Sequence, residues 1–554
     1  MGSLVALLVV LPLACSAAAL IEKALPRLRI ARPAAVAGLA GMAAILAATA
    51  TPLMTVPAGR GLATEIGSWS SPIGIVLCLD GMAWVASLAV LIVCLAALLS
   101  ASAGRSRGAL YWFFFLVQVA GLEGALLTRD LFNLFVFLEV AGIAGCVLIA
   151  ANGGPRPLLA SLRYLVASTV SMALYLVGVY LLYRLTGSLS IDAIAAALGD
   201  PALTGVPSVR RGLSVAGACL VVGVGLRSAV VPLHAWLPAA HAEAPHEVSA
   251  MLSGAVLKVT IVNMVRLAPI AGPFLPQDLY LWAGTASALV GVAMALCQLD
   301  MKRLLAWSSV SQVGYIVAVL ALSESGRSAA FAHLVSHALF KSLLFLSIGM
   351  VVEATAEHRI DRLGRLAGVL PVPFVGFLVG AAAIAGLPPF SGFASKKLVL
   401  DALSAAPAAL WICRIVAVGT AASFLKLSQV FWSAYRGAAP SVRHSGVSAM
   451  STASLALLAA CCIAAGISPS PLIGALNGFL GLNAAAPAVY DAAALAESFI
   501  TLGAGAAVFL IVRTRTAARI ARTIRSAAAG FEGTIGWTLA GFAALAGVAL
   551  IIAG

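Results

Sequence analysis

Apolar runs of membrane-crossing length follow one another from the first residues of this chain to the last. Roughly 17–25 helical residues cover a hydrocarbon core of about 30 Å, and lipid offers the backbone no hydrogen-bond partner, so such runs must be helices that satisfy themselves. Hydrophobic residues make up 62% of the chain and charged residues only 10%, against about 25% charged in ordinary soluble domains. No water-soluble fold could hide that surplus. The expected fold is an all-α polytopic membrane protein.

The runs suggest about sixteen spans, near 3–22, 33–54, 73–100, 109–127, 131–151, 161–183, 212–232, 247–268, 279–298, 303–322, 328–352, 368–404, 411–433, 449–470, 495–512 and 533–553. The first, beginning at Leu4, has no basic stretch before it and no clear cleavage site, so it reads as a retained helix and not a removed signal peptide. The twelfth is too long for one crossing and holds Gly386-Leu-Pro-Pro389, which predicts a break. Non-helical backbone at membrane depth is tolerated only where it is buried or lines a cavity, as at transporter ion sites.

Most Lys and Arg fall in odd-numbered loops: Lys23, Arg27, Arg29 and Arg32, then Arg105 and Arg107, and last Arg513, Arg515, Arg519, Arg522 and Arg525. The positive-inside rule then puts these loops in the cytoplasm of a bacterial or archaeal cell and both termini outside. That asymmetry explains the net charge of +14 without nucleic-acid binding. The last cluster suits either a cytoplasmic anchor or a helix lying on anionic lipid. Nine cysteines form no CxxC and no Cys/His cluster at ligand spacing, and Cys461-Cys462 reads as small buried side chains. No metal, iron–sulfur, haem or other cofactor site is expected.

Ionisable residues inside the spans carry the functional argument, because they are costly at that depth. Glu139 lies in the middle of the fifth span. A carboxylate there takes up a proton unless a nearby cation keeps it ionised, although a fixed ion pair holding helices together would explain it too. Glu123 is shallower, in the fourth span, and Lys258 sits midway along the eighth. Lysine without water can give up its proton and so act as a relay, and the position is too central for snorkelling to an interface. In the eleventh span His333, His337 and Lys341 recur every four residues and share one helical face. Lys396 and Lys397 follow the predicted break; at least one should point inward, while the other has a structural role.

The motifs resemble the antiporter-like subunits shared by respiratory complex I, the Mrp cation/proton antiporters and membrane-bound energy-converting hydrogenases. Asp130-Leu-Phe-Asn-Leu-Phe-Val-Phe-Leu-Glu139 looks most like the D-type Mrp subunit. Val231-Pro-Leu-His234-Ala-Trp236-Leu-Pro238-Ala-Ala-His241, running into Val248-Ser-Ala-Met-Leu-Ser-Gly254, looks like the hydrogenase and complex I members. Asp300-Met-Lys302, Ser308 to Gly314, His337-Ala-Leu-Phe-Lys341 and Gly386-Leu-Pro-Pro-Phe-Ser-Gly complete a set spanning roughly residues 75–430 in matching order.

The resemblance implies about fourteen core helices with two inverted five-helix repeats, each with a broken helix, and about two further C-terminal helices. The corresponding segments are 1–108, a first repeat at 109–268, a second at 279–433, and C-terminal helices with a basic loop at 434–554. It also implies roles. Glu139 would pair with a seventh-helix cation, Lys258 would be the eighth-helix relay, His333, His337 and Lys341 the central axis, and Lys396 the exit group. Glu123, His241 and Lys397 would be accessory. One departure stands out: the seventh-helix lysine of the family falls on Arg227. Arginine keeps its proton, so Arg227 could pair with Glu139 but not release a proton. Either that half still switches electrostatically while Lys258 carries the proton, or it is inactive. His246 and Glu247, beside His241 and Glu243, could be alternative titratable groups or a solvated loop face.

The expected function is proton translocation within a multisubunit, redox-driven complex, alongside further antiporter-like subunits and peripheral redox subunits, since no redox centre lies in this chain. The alternatives are a subunit of an Mrp-type Na+/H+ antiporter or another non-redox proton-coupled complex, such as one for inorganic-carbon uptake, or a non-conducting membrane scaffold. A quinone-binding enzyme fits less well.

Overall fold

Burial separates the helices that form the protein interior from those that face lipid. In the computed structural model, which describes residues 2–56, 60–67, 69, 73–103, 107–276, 278–433, 447–484 and 488–532, thirteen helices are long and apolar enough to cross a membrane. The most apolar window is 94% buried in His246–Phe274 and 89% buried in Glu324–Thr355, but only 6% buried in Ala492–Val512. The expected carriers of Lys258 and of His333 to Lys341 are therefore the innermost elements, and the last described span lies at the edge.

The chain opens with α1 (Gly2–Ala24) and α2 (Ala31–Thr55), followed by a hairpin of β1 (Leu62–Ile66) and β2 (Ile75–Leu79). Its register runs from Leu62 opposite Leu79 to Ile66 opposite Ile75. The expected span at 73–100 is corrected accordingly: its apolar start is the strand β2, and the helix begins only at Gly81. Next come α3 (Gly81–Ala101), α4 (Ala109–Leu127), α5 (Leu131–Ile149), α6 (Pro155–Thr186), the short α7 (Ile191–Leu198) and α8 (Pro201–Thr204), and α9 (Pro207–Arg227). After α10 (Trp236–Glu243), the helix α11 (His246–Met251) passes through a π turn at Leu252–Val256 into α12 (Leu257–Ala271). The second half comprises α13 (Leu279–Cys297), α14 (Met301–Val319), α15 (Glu324–Thr355), α16 (Pro371–Ala385), α17 (Ser391–Ala402) and α18 (Pro407–Trp432). Last are α19 (Ala449–Ile467), α20 (Pro469–Leu480), α21 (Ala492–Val512) and α22 (Arg515–Glu532).

The predicted interruption is present: α16 ends at Ala385 on a left-handed Gly386, and α17 resumes at Ser391. A second interruption separates α9 from α10, so helix stops at Arg227 and does not continue to 232 as the apolar pattern suggested. The α14 helix is absent from the thirteen because its polar residues lower its hydropathy, yet all of it except Arg303 is buried. With α14 and the α16–α17 pair, the first fifteen expected spans are accounted for; the sixteenth, 533–553, lies outside the described residues.

Two units of the chain repeat the same construction. Asp130 caps α5 by accepting from Asn133 N at 2.7 Å, and Asp300 caps α14 by accepting from Arg303 N at 2.8 Å, the usual device for a helix N-terminus. Leu131 N donates to Leu189 O and Ile191 N to Arg129 O, stitching the start of α5 to the segment after α6. Met301 N to His358 O and Ile360 N to Leu299 O do the same for α14 and the segment after α15. In the first unit Arg266 of α12 donates to Leu126 O at the end of α4. In the second, Lys426 of α18 donates to Leu296 O at 2.7 Å and to Gln298 O, at the end of α13. Each fifth helix thus supplies the cation that satisfies the last carbonyls of the first. The common plan is α4, α5, α6, α9/α10 and α11–α12 against α13, α14, α15, α16/α17 and α18.

Candidate functional site

Four fully buried cations or imidazoles meet where α11–α12, α14 and α15 pack together. Extra backbone in the π turn leaves the Ser253 carbonyl without its regular helical partner, and Lys258 Nζ donates to it at 2.7 Å. The same Nζ lies 2.5 Å from His337 Nδ1. One helical turn on, Lys341 Nζ donates to Ser308 Oγ at 2.5 Å and Leu305 O at 2.8 Å, both on α14. In the other direction along α15, His333 stacks near His337 with ring centroids 6.4 Å apart. His333 Nδ1 pairs with Ser395 Oγ at 3.0 Å and its Nε2 with Gln312 Oε1 at 3.2 Å. Ser395 precedes Lys396, whose Nζ donates to Ile384 O at 2.5 Å, across the break from α17 to the end of α16. Lys258, His337, His333, Ser395 and Lys396 therefore form a line through the protein centre, with Lys341 beside it.

Lys397 points elsewhere. Its Nζ bonds Asp401 Oδ2 at 2.8 Å and faces Asp491 Oδ2 at 3.5 Å. Only Lys396 belongs to the buried line, as the expectation of one inward lysine allowed. His241 is fully buried, stacked on Phe345 at 4.8 Å, with neither ring nitrogen hydrogen-bonded among the described residues. It lies within electrostatic reach of Lys302, Lys341 and Lys258. Lys302, at the start of α14, donates to Ala244 O. Glu123 is wholly buried and accepts from Ser87 Oγ at 2.6 Å.

In the first unit, Arg227 is the last residue of α9 and faces α5. Its Nη2 lies 3.7 Å from Glu139 Oε1 and donates to Ser168 Oγ, while Nη1 donates to Leu138 O at 2.5 Å. Arg227 is buried and Glu139, with 24% of its side chain exposed, sits at the rim. Gly142 makes room for this arrangement: a Cβ there would overlap the guanidinium and come within 2.9 Å of Ser168 Oγ. The structure thus brings Arg227 and Glu139 together but leaves them apart from the Lys258–His337 contact.

His246 and Glu247 are not a solvated loop face. They open α11, and Glu247 is fully buried against Arg107 and Tyr111. A third buried acid, Asp80 at the start of α3, accepts from Arg129 at 2.7 Å and from Arg266 at 3.1 and 3.3 Å. Burial alone would raise the Asp80 carboxyl, but Arg266 and Arg129 outweigh it and hold it below the ordinary range. Sequence reasoning missed the partners that connect the line, Ser253, Ser308, Gln312 and Ser395. The clustered polar residues Ser308 to Gln312 in an otherwise apolar span were the available signal.

Residues 128–424 match the family described as NADH:quinone oxidoreductase/Mrp antiporter, TM. NADH-quinone oxidoreductase subunit N of Desulforudis audaxviator is 38% identical over 381 residues, covering 66% of this chain and 74% of that protein. The D-type Na(+)/H(+) antiporter protein of Alkalihalophilus pseudofirmus is 33% identical, over 61% of this chain and 69% of its own. A chain of the Mrp complex from a Dietzia species superposes with a TM-score of 0.78 at 27% identity, covering 89% of this chain and 99% of that one. This chain is therefore a member of the NADH:quinone oxidoreductase/Mrp antiporter transmembrane family, an antiporter-like subunit of a multisubunit membrane complex of the complex I, Mrp or hydrogenase type.

Proposed function

We propose that this subunit moves protons along Lys258, His337, His333 and Lys396 in a redox-driven complex resembling complex I or a membrane-bound hydrogenase. The observation that carries the reading is the 2.5 Å contact between Lys258 Nζ and His337 Nδ1, both fully buried. At that separation a proton held by one nitrogen is already hydrogen-bonded to the other, and each can be neutral or charged. Lys341 biases the pair by like charge, because it lies within electrostatic reach of both. Charge on one member raises the cost of charge on the next, so protons advance as neighbours empty. Ser395 and Gln312 orient His333 towards Lys396, the exit-side group.

Arg227 supplies a fixed positive charge to Glu139 and does not itself release a proton. The basic loops orient the α3–α4 connection to the cytoplasm and the termini outside, in a bacterial or archaeal inner membrane. Its neighbours would be further antiporter-like subunits and peripheral redox subunits. A second reading, a subunit of an Mrp-type Na+/H+ antiporter, is supported by the likeness to the D-type antiporter protein and to the Dietzia Mrp complex.

The test is proton flux by the purified native complex in proteoliposomes. Lys258→Ala, Lys341→Ala and Glu139→Gln should each lower flux by at least about a hundredfold, the lower end of the range attributed to one proton-transfer group. Arg227→Lys should stay within about twofold of wild type if a standing cation is what the position supplies. Normal flux in the first three variants, with the complex intact, would refute the relay. A flux that requires Na+ on the opposite side, without any redox substrate, would favour the antiporter reading.

A further inference from the structure

We propose that His246 and Glu247 form a proton inlet that feeds the Lys258–His337 pair from the face where α3 meets α4 and α10 meets α11. This inference rests on the relay reading above and adds the route by which Lys258 is reloaded. Such a route is needed because Arg227 keeps its proton and its guanidinium is committed to Leu138 O, Ser168 Oγ and Glu139.

Acidic and imidazole groups on this face run inward from solvent. Glu353, whose side chain is 46% exposed, has Oε2 3.9 Å from His246 Nδ1. His246, 15% exposed, has the same nitrogen 3.6 Å from Glu247 Oε2, and its Nε2 pairs with Ser100 Oγ at 3.2 Å. Glu247 is 1% exposed. Its Oε1 accepts from Arg107 and from Tyr111 at 3.2 Å, whereas Oε2, the oxygen facing His246, has no hydrogen-bond partner among the described residues. Gly349 gives the histidine its place: a Cβ there would overlap the His246 side chain. A buried carboxylate oxygen without a donor is costly, and the ring beside it is the group that can bring it a proton.

The inner side continues to the relay. Lys302 donates to Ala244 O, in the short segment between His241 and Glu247, and Ser249 Oγ of α11 donates to His241 O at 2.9 Å, tying the two helices together. Both ring nitrogens of His241 are buried and unpartnered among the described residues. In the proposed sequence His246 takes a proton from hydronium in the solvent at the Glu353 rim, leaving water, and passes it to Glu247 Oε2, returning to neutral imidazole. The neutral Glu247 acid passes it through water to His241, and His241 gives it to the free amine of Lys258. Every donor ends as it began, and Arg107 stays charged throughout and holds Glu247 in place.

The native complex, purified through a tag on this chain and reconstituted in proteoliposomes, gives the test, with flux normalised to intact complex. Glu247→Gln and His246→Asn should lower flux at least tenfold, and Glu247→Asp should recover part of it. Formate supplied on the α3–α4 side should raise flux in Glu247→Ala, since a small acid replaces the missing carboxyl; a merely structural role would not respond. Full flux in an assembled Glu247→Gln complex, while Lys258→Ala is inactive, overturns the inlet and leaves the relay standing. Full flux in Lys258→Ala overturns both. If Glu247→Gln does not assemble, full flux in His246→Asn and Glu353→Gln together overturns the inlet.

Discussion

Replacing Gly142 by alanine should report directly on the Arg227 site. A methyl group at Gly142 would overlap the guanidinium, lie 2.9 Å from Ser168 Oγ and stand 3.4 Å from Arg227 Cζ. Because Cβ is fixed to the backbone of α5, the guanidinium has to withdraw. Withdrawal breaks the Nη2 bond to Ser168 and lengthens the Nη1 bond to Leu138 O, now 2.5 Å. Hydrogen bonds from charged donors contribute about 1.5–3 kcal/mol each. Losing one and weakening the other predicts a loss of about 2–4 kcal/mol, while a Gly→Ala change in a helix by itself would gain about 1 kcal/mol. The assay is reversible unfolding in detergent mixtures, run as a double-mutant cycle with Arg227→Gln. The glutamine side chain is shorter, so the alanine penalty should shrink by at least about 1.5 kcal/mol in that background, as expected for groups in direct contact. The same penalty in both backgrounds, or none in either, would refute the claim that Gly142 exists to admit the guanidinium.

Two further substitutions address the shared construction of the units. Asp80→Ala removes the partner of two arginines, one of them fully buried, and should cost about 3–5 kcal/mol at pH 7, read as unfolding free energy. Because the folded-state carboxyl is held below its ordinary value, the stability it contributes is complete above about pH 4 and is lost as pH falls through the depressed value. The mutant penalty should therefore be equal at pH 7 and pH 5 and shrink only in stronger acid; a penalty that fades between pH 7 and pH 5 would contradict the assignment. Lys426→Met keeps the apolar stem but leaves the carbonyls of Leu296 and Gln298 without their donor, with an expected loss of about 1–3 kcal/mol. An unchanged melting temperature would show that this cation does not stabilise the end of α13.

Apolar runs located fifteen crossing segments, because lipid enforces long continuous apolar runs with few exceptions, of which the polar-studded α14 is one. The break at Gly386 to Pro389 was legible for the same reason that it exists: two prolines deprive the helix of donors. By contrast, Ile75–Leu79 is apolar and adjoins a helix, so nothing local distinguishes strand from span. The short amphipathic α7 fell below span length, and the π turn leaves no compositional trace. Buried ionisable residues were conspicuous as exceptions to the pattern. Their partners were not, because Lys258 meets His337 across 79 residues and Asp80 meets Arg266 across 186, and sequence order carries little information at that range. Glu247 was ambiguous because a helix start and a solvated loop have the same composition; only the packing of Arg107 and Tyr111 over it decides between them.

The π turn at Leu252–Val256 has a consequence for how this chain can change length. A π turn is equivalent to one residue inserted into a regular helix, its wider winding absorbing the roughly 100° by which an extra residue would otherwise turn the helical face. A chain lacking one residue between 252 and 256 would regain an unbroken helix from His246 onward, which is the more stable local conformation. Because the wide turn already takes up the extra residue, Lys258 would keep its bearing, but the Ser253 carbonyl would return to the helix ladder and no longer accept from Lys258. Loss of a residue at this place would therefore leave the membrane segment sound and strip Lys258 of its backbone acceptor, a lesion that hydropathy would not register.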